Sequence, residues 1–222
     1  SLSLSRGYKT AGINQSPNIG IKENLSNDLR EYESEYVYNV ESGFKLEDDN
    51  KNIALSLFYM TRNNPQVRLS YQLDPADPSS FDFYTINANR AYAYGIECQF
   101  KLVLYKGLYI YNNFSLLKSH ISEYQFLGKT VGNREPAHAP GLMSSIGFDY
   151  SFFYGLYLKI DHSAVSSYYF EDQYDFQSEP TQRINSTLGF RKNHFHFSFW
   201  IKNILDEKYI TRGYYFALEP TP

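Results

Sequence analysis

The chain is predicted to be all-β: a transmembrane antiparallel β-barrel seen in part, with about nine spanning strands. Three observations predict it. Segments of alternating polarity are joined by a tight turn, then a long polar loop, in strict alternation. Several of these segments run longer than the five or six residues typical of a soluble strand. Tyrosine is abundant, 22 of 222 residues, and lifts the aromatic share to 18%, which suits the aromatic girdles of a barrel at its two interfaces.

The gaps set the topology. Residues 47–52, 105–107, 152–155 and 192–194 are tight, whereas residues 11–33, 63–87, 120–140 and 166–181 are long. A sheet with all short turns at one end and all long loops at the other is how an outer-membrane barrel is built, short end to the periplasm and long end outside. A soluble antiparallel sandwich also has one apolar face. It accounts less well for the strand length, the loop asymmetry and the aromatic density.

Taken in order, the spanning segments are 2–9, 35–46, 53–62, 91–105, 108–119, 141–152, 156–161, 183–191 and 194–202. Successive side chains alternate across a sheet. In the fourth segment Tyr92, Tyr94, Ile96, Cys98, Phe100, Leu102 and Leu104 oppose Ala91, Ala93, Gly95, Glu97, Gln99 and Lys101. In the second, Tyr36, Tyr38, Val40, Phe44 and Leu46 oppose Glu35, Asn39, Glu41, Gly43 and Lys45. In the last, Phe195, Phe197, Phe199 and Ile201 oppose His194, His196, Ser198 and Lys202. The first, third and fifth are noisier; Phe58 and Asn112 fall on the wrong faces. No long helix is expected, only a turn or two over residues 24–32.

Composition excludes several classes. The net charge is −3 with no basic run, so nucleic acid is not an expected partner. One cysteine, Cys98, makes no internal disulfide and no Cys-rich metal site. No stretch is long and apolar enough for a transmembrane helix. Barrel strands hide their apolar content in every second residue, so this and the negative mean hydropathy fit a spanning barrel. No signal peptide opens the chain. Ser1 to Ser5 already alternate and the last five residues are loop-like, so the chain is expected to be an internal piece of a longer protein.

Several motifs resemble the C-terminal part of TonB-dependent outer-membrane receptors. Arg6-Gly7-Tyr8-Lys9-Thr10-Ala11-Gly12-Ile13-Asn14 is similar to a strand end of that family, with Ala11 at a common glycine. Similar matches follow in the family's order. They are Glu41-Ser42-Gly43-Phe44-Lys45, Leu57-Phe58-Tyr59-Met60-Thr61-Arg62, Asn87-Ala88 with Gly95-Ile96-Glu97, and the Gly132 to Pro140 passage from loop to strand. The last is Asn203-Ile204-Leu205-Asp206-Glu207-Lys208-Tyr209 with Arg212-Gly213. Each is short; their order spans nearly the whole chain.

The resemblance implies a barrel of about 22 strands with a plugged lumen, of which residues 1–222 form a C-terminal portion. The nine segments would be roughly the thirteenth to the twenty-first strands. The plug domain, the TonB-binding segment and the last strand lie outside the chain in this expectation. It also implies TonB-dependent active uptake of a scarce nutrient, foremost a ferric siderophore or ferric citrate, with cobalamin, haem and oligosaccharides open as cargo. The partners implied are the TonB complex, outer-membrane lipid and lipopolysaccharide. Rival readings are a passive porin-like channel and a soluble β-sandwich used for binding; a barrel enzyme such as an outer-membrane lipase ranks below both.

No catalytic, metal or cofactor site is expected. His194 and His196 share a strand face at i, i+2, a chelating spacing, but without a third ligand they read as a polar lumen-facing pair. His138 reads as structural. Asp74, Asp77 and Asp82 lack an EF-hand pattern and read as a solvated loop. Glu41, Lys45, Glu97, Asp149, Lys159, Asp161, Arg183 and Arg191 point inward as a hydrated wall. Cys98 on the apolar face reads as an inert thiol. Arg6, Arg62 and Arg134 sit near outer strand ends, where they suit an anionic ferric chelate, loop anchoring or lipopolysaccharide phosphate alike. No substrate-binding residue is singled out.

Overall fold

A computed structural model describes residues 1–15, 29–77 and 79–213. The spanning strands are β1 (Leu2–Lys9), β4 (Glu35–Glu47), β5 (Lys51–Asn63), β8 (Arg90–Tyr105), β9 (Leu108–Ile121), β12 (Leu142–Ser151), β13 (Leu156–Val165), β14 (Thr181–Lys192) and β15 (Phe195–Ile201). They form one antiparallel sheet in that order, a meander in which every spanning strand pairs with its neighbour in sequence. Three two-stranded ribbons stand apart: β2 (Gly12–Ile13) with β3 (Glu31–Tyr32), β6 (Gln66–Gln72) with β7 (Phe81–Asn87), and β10 (Tyr124–Phe126) with β11 (Lys129–Val131). The barrel is not closed within the chain; β1 and β15 each pair on one side only among the described residues.

The nine expected segments are the nine strands of the sheet. The apolar set of each strand meets the apolar set of the next. Leu4 pairs with Val40, Val40 with Tyr59, and Tyr59 with Tyr94. Lower down, Leu57 pairs with Ile96, Ile96 with Leu116, and Leu116 with Leu142. This face is uncovered: Leu57 is 49% exposed, Tyr94 47% and Leu188 53%. A soluble sandwich would bury such a face beneath a second sheet; among the described residues none lies on it. The apolar face is therefore a lipid face, and the soluble-sandwich reading is set aside.

Strand length agrees. A tilted strand crosses a bilayer in about 9–11 residues, and β8 has 16, β9 has 14, and β4 and β5 have 13 each.

The short turns are built by local chemistry. The Asp48 carboxylate accepts the N–H groups of Asn50 at 2.9 Å and Lys51 at 3.0 Å, an Asx-type turn. In the turn before β13, Gly155 has φ +92°, and a Cβ there would meet the carbonyl of Arg191, so only glycine fits.

The two residues on unexpected faces have physical reasons. Phe58, on the polar face, is paired with Gly95 and lays its ring where a Cβ of that glycine would stand. Asn112, on the apolar face, is only 9% exposed and donates from Nδ2 to the carbonyl of Ser145 at 3.3 Å.

Two of the long loops carry paired strands of their own. Residues 63–87 contain the β6–β7 hairpin, and residues 120–140 contain β10–β11. The one dry core of the described residues lies here, above the sheet: Val67, Leu69, Tyr84, Ile86, Ala88, Ala91, Ile121, Tyr124, Phe126 and Val131. Of the helical turn expected over residues 24–32, residues 24–28 lie outside the described residues, and Glu31–Tyr32 form β3.

Candidate ligand-binding surface at the outer mouth

The surface begins with the alternation of the β6–β7 hairpin. Val67, Leu69, Tyr84 and Ile86 are buried, and they pack against Tyr124, Phe126 and Val131 of the second ribbon. Residues of the opposite parity, Arg68, Ser70, Phe83 and Thr85, form the hairpin's other face. β10–β11 can turn within two residues because Leu127 and Gly128 both adopt positive φ, 49° and 77°, the hand a two-residue hairpin requires. The small side chains of Ala88 and Ala91 let the ribbon settle onto β8.

A two-stranded ribbon has two open edges, and a carboxamide closes each. The Asn14 side chain accepts the Thr85 N–H at 2.8 Å and donates to the Thr85 carbonyl at 2.7 Å. On the other edge, Gln173 accepts the Ser70 N–H at 3.1 Å and donates to the Ser70 carbonyl at 2.9 Å. A carboxamide offers the same donor and acceptor as a peptide unit, so each amide stands in for one residue of a missing neighbour strand.

The roots of the loops are tied by charge. Glu35, 1% exposed, receives Arg62 Nε on Oε1 at 2.6 Å and Arg62 Nη2 on Oε2 at 3.0 Å. The Gln66 N–H donates to Oε2 at 2.8 Å, and Lys9 Nζ lies 3.5 Å away. Arg134 ties the next pair of loops. Its guanidinium stacks on Tyr169, 3.9 Å from the ring centroid. Its Nη2 lies 2.8–2.9 Å from the carbonyls of Glu171, Asp172 and Tyr174, and its Nη1 lies 3.2 Å from the Asp175 carboxylate. Asp172 completes the joint by accepting the Ala137 N–H at 2.7 Å.

Where these loops meet, a cleft of about 230 Å³ opens, lined by Arg68, Phe83, Phe170, Glu171, Asp172 and Gln173 among others. Arg68 lies over the Phe83 ring, 4.9 Å from its centroid. Phe170 is held edge-on by Tyr168 at 5.8 Å. Burial, then the neighbouring Asp172, hold the Glu171 carboxyl above the usual carboxylate range. The sequence reading passed over this surface. The signal was present, since residues 66–72 and 81–87 alternate in polarity, but the turn residues Asp74, Pro75 and Asp77 between them drew the whole segment into one loop.

Below the mouth the polar face lines the wall. Glu41 accepts the Ser56 hydroxyl at 2.9 Å, Lys159 pairs with Asp149 at 2.8 Å, and Lys45 pairs with Glu47 at 2.7 Å. Arg183 donates to the Tyr209 hydroxyl at 3.0 Å. Two tyrosines reach sideways over glycines. Tyr111 crosses Gly147 to bond Asp161, and Tyr157 crosses Gly189 to meet His196 Nε2 at 2.8 Å. Aromatic rings over cross-strand glycines restore the packing a glycine loses.

The remaining candidates are placed as follows. His196 is engaged by Tyr157, and among the described residues no three His, Cys, Asp or Glu side chains converge as a metal site would require. Asp74 and Asp77 accept the N–H groups of Ala76 and Ser79, and Asp82 accepts the Tyr84 hydroxyl. The His138 ring lies 5.6 Å from that of Tyr168. Cys98, half-buried, pairs in register with Leu55 and Phe114 on the apolar face. Arg62 and Arg134 are engaged by the loops. Arg6 faces lipid instead, stacked on Tyr36 at 4.9 Å and Tyr38 at 5.5 Å.

Comparison with known proteins agrees with this architecture. No curated protein sequence matches the chain. The fold is similar to that of the ferric yersiniabactin uptake receptor FyuA from Yersinia pestis, with TM-score 0.72 and 21% identity over 96% of this chain and 31% of that one. It is also similar to the copper transporter OprC, with TM-score 0.67 and 12% identity over 94% of this chain and 31% of that one. The siderophore receptor PiuA from Acinetobacter baumannii gives TM-score 0.63 and 16% identity over 96% and 31%. The chain thus spans about a third of the length of these relatives. The family described as TonB dependent receptor-like, beta-barrel matches residues 1–204. Its members are transport receptors rather than enzymes, and they reside in the outer membrane of Gram-negative bacteria. An apolar face turned to lipid, a polar face turned to a lumen, and that match over residues 1–204 place the chain in the TonB-dependent receptor β-barrel family.

Proposed function

We propose that the chain forms the C-terminal part of the barrel of a receptor that takes up a ferric chelate, a siderophore or citrate complex, by TonB-dependent active transport. The observation that carries the reading is the interlocked outer mouth. The loops that would meet a cargo are joined to one another by Arg134, Asn14 and Gln173, and they sit on the lumen side of a sheet whose other face is greasy. Loops supply selectivity and the polar wall supplies the path. Two of the relatives by fold are siderophore receptors, which favours iron. In this reading a plug domain fills the lumen, and TonB engages a segment upstream of the chain. Arg6, raised on two tyrosines at the outer lipid boundary, meets the phosphates of lipopolysaccharide.

Deletion of the full-length gene tests it. Growth on a ferric chelate as the sole iron source, and uptake of labelled iron, should fall in the deletion strain and equally in a strain lacking TonB. Uptake that persists without TonB or the proton gradient would make the protein a passive channel.

A further inference from the structure

The cleft above β6–β7 is lined by three charged side chains, Arg68, Glu171 and Asp172; Asp172 is taken up by the Ala137 N–H, and Arg68 and Glu171, of opposite sign, form no ion pair with one another. Arg68 stacks on Phe83 and makes no ion pair among the described residues. The Glu171 carboxylate likewise makes no ion pair among the described residues. Arg134 takes only the Glu171 backbone carbonyl and directs its charge to Asp175. The two phenyl rings of Phe83 and Phe170 line the same space. Gln173 fixes the two sides relative to one another through its clasp on Ser70.

We propose that this cleft is a subsite for a zwitterionic part of the cargo, an amine and a carboxylate carried close together on an apolar or aromatic segment. An exposed guanidinium binds a carboxylate by charge-assisted hydrogen bonds. A half-buried carboxylate beside aromatic rings attracts an organic ammonium, through the ion pair and the ring faces together. A bare metal ion fits less well, since no three ligating side chains converge among the described residues. At about 230 Å³ the cleft is smaller than the roughly 300–1,000 Å³ of a whole small-molecule site, so it receives a portion of a cargo and confers preference for amino-acid-derived chelates. The inference rests on the transport reading above, because it takes the outer mouth as the place where cargo lands.

The test uses the full-length receptor in detergent micelles and three probes: L-phenylalanine, phenylacetate and 2-phenylethylamine, followed by saturation-transfer NMR. L-Phenylalanine should bind saturably and more tightly than either half-probe. Arg68→Gln should weaken L-phenylalanine and phenylacetate about tenfold, the value of one charged hydrogen bond, and leave phenylethylamine unchanged. Glu171→Gln should do the converse. N-acetyl-phenylalanine amide, which lacks both charges, needs no variant and should not compete with L-phenylalanine on the wild-type protein. Equal binding of all probes, competition by the uncharged one, or no saturable binding of L-phenylalanine would overturn the proposal. TonB-dependent uptake without probe binding counts against this subsite alone. Probe binding without TonB dependence counts against the transport reading alone.

Discussion

The guanidinium of Arg62 closes on the carboxylate of Glu35 through two parallel hydrogen bonds, 2.6 and 3.0 Å long. The carboxylate is 1% exposed, and its second oxygen also receives the Gln66 N–H, the first residue of β6. A single ion pair thus joins β4, β5 and the base of the hairpin that forms the outer mouth.

Without Arg62 the buried Glu35 carboxylate keeps only the Gln66 N–H and a Lys9 ammonium 3.5 Å away. Arg62→Ala should destabilise the outer-loop assembly by about 3 kcal/mol, the lower end of what breaking a buried pair costs. Hydrogen exchange at the Gln66 amide should accelerate while the mid-sheet amides of β5 and β8 stay protected. Combining Arg62→Met with Glu35→Gln should recover most of the loss, because no buried charge is then left.

The amide clasps predict a local effect. Gln173→Ala removes the hydrogen bonds to the Ser70 backbone and should loosen that edge of the hairpin by about 1–2 kcal/mol. Exchange at the Ser70 amide is the readout. Thr85, held by Asn14 on the opposite edge, should respond less. Exchange rising equally at both edges would mean that the hairpin opens as one unit.

The two faces of the sheet should answer differently to charge. Leu57→Arg places a cation on the lipid face and should cost about 2–4 kcal/mol near the bilayer midplane, whereas Ser56→Arg, one residue away on the lumen face, should cost little. Chemical unfolding of the full-length protein in lipid vesicles measures both.

Gly189 should resist even alanine. A Cβ there would collide with the Tyr157 ring and hydroxyl, so the ring must leave and the Tyr157–His196 contact with it. Gly189→Ala should destabilise by about 1–3 kcal/mol. Adding Tyr157→Ser should relieve the crowding and restore part of the loss.

Glu171 carries a pH dependence of the outer loops. Its carboxyl is raised in the folded state, first by burial and then by Asp172, so the folded loop binds its proton more tightly than the unfolded one. The penalty is fully present above the raised value and disappears as the pH falls below the ordinary carboxylate value. Glu171→Gln should therefore stabilise the loop at neutral pH, by under about 1 kcal/mol after solvent screening, and make no difference in acid. Exchange at Ser70 across pH checks it. Stability gained together with weaker amine binding separates the ligand role of this residue from a structural one.

Much of this molecule was legible in one dimension. Period-two alternation fixed which residues of each spanning strand face lipid, because a side chain's face depends only on its parity. The alternation of tight and long gaps fixed the meander and the end that bears the loops. Even the misfits Phe58 and Asn112 were visible, as breaks in parity. The outer mouth was not. Its contacts join residues such as Ser70 and Gln173, or Asn14 and Thr85, that lie far apart in sequence, and each is made by one polar side chain with no period to betray it. Those pairings exist only once the sheet has brought the loop roots side by side. Strand parity is a property of the chain, whereas the charge balance of Glu35 with Arg62, and the lack of one at Glu171, belong to the assembled loops.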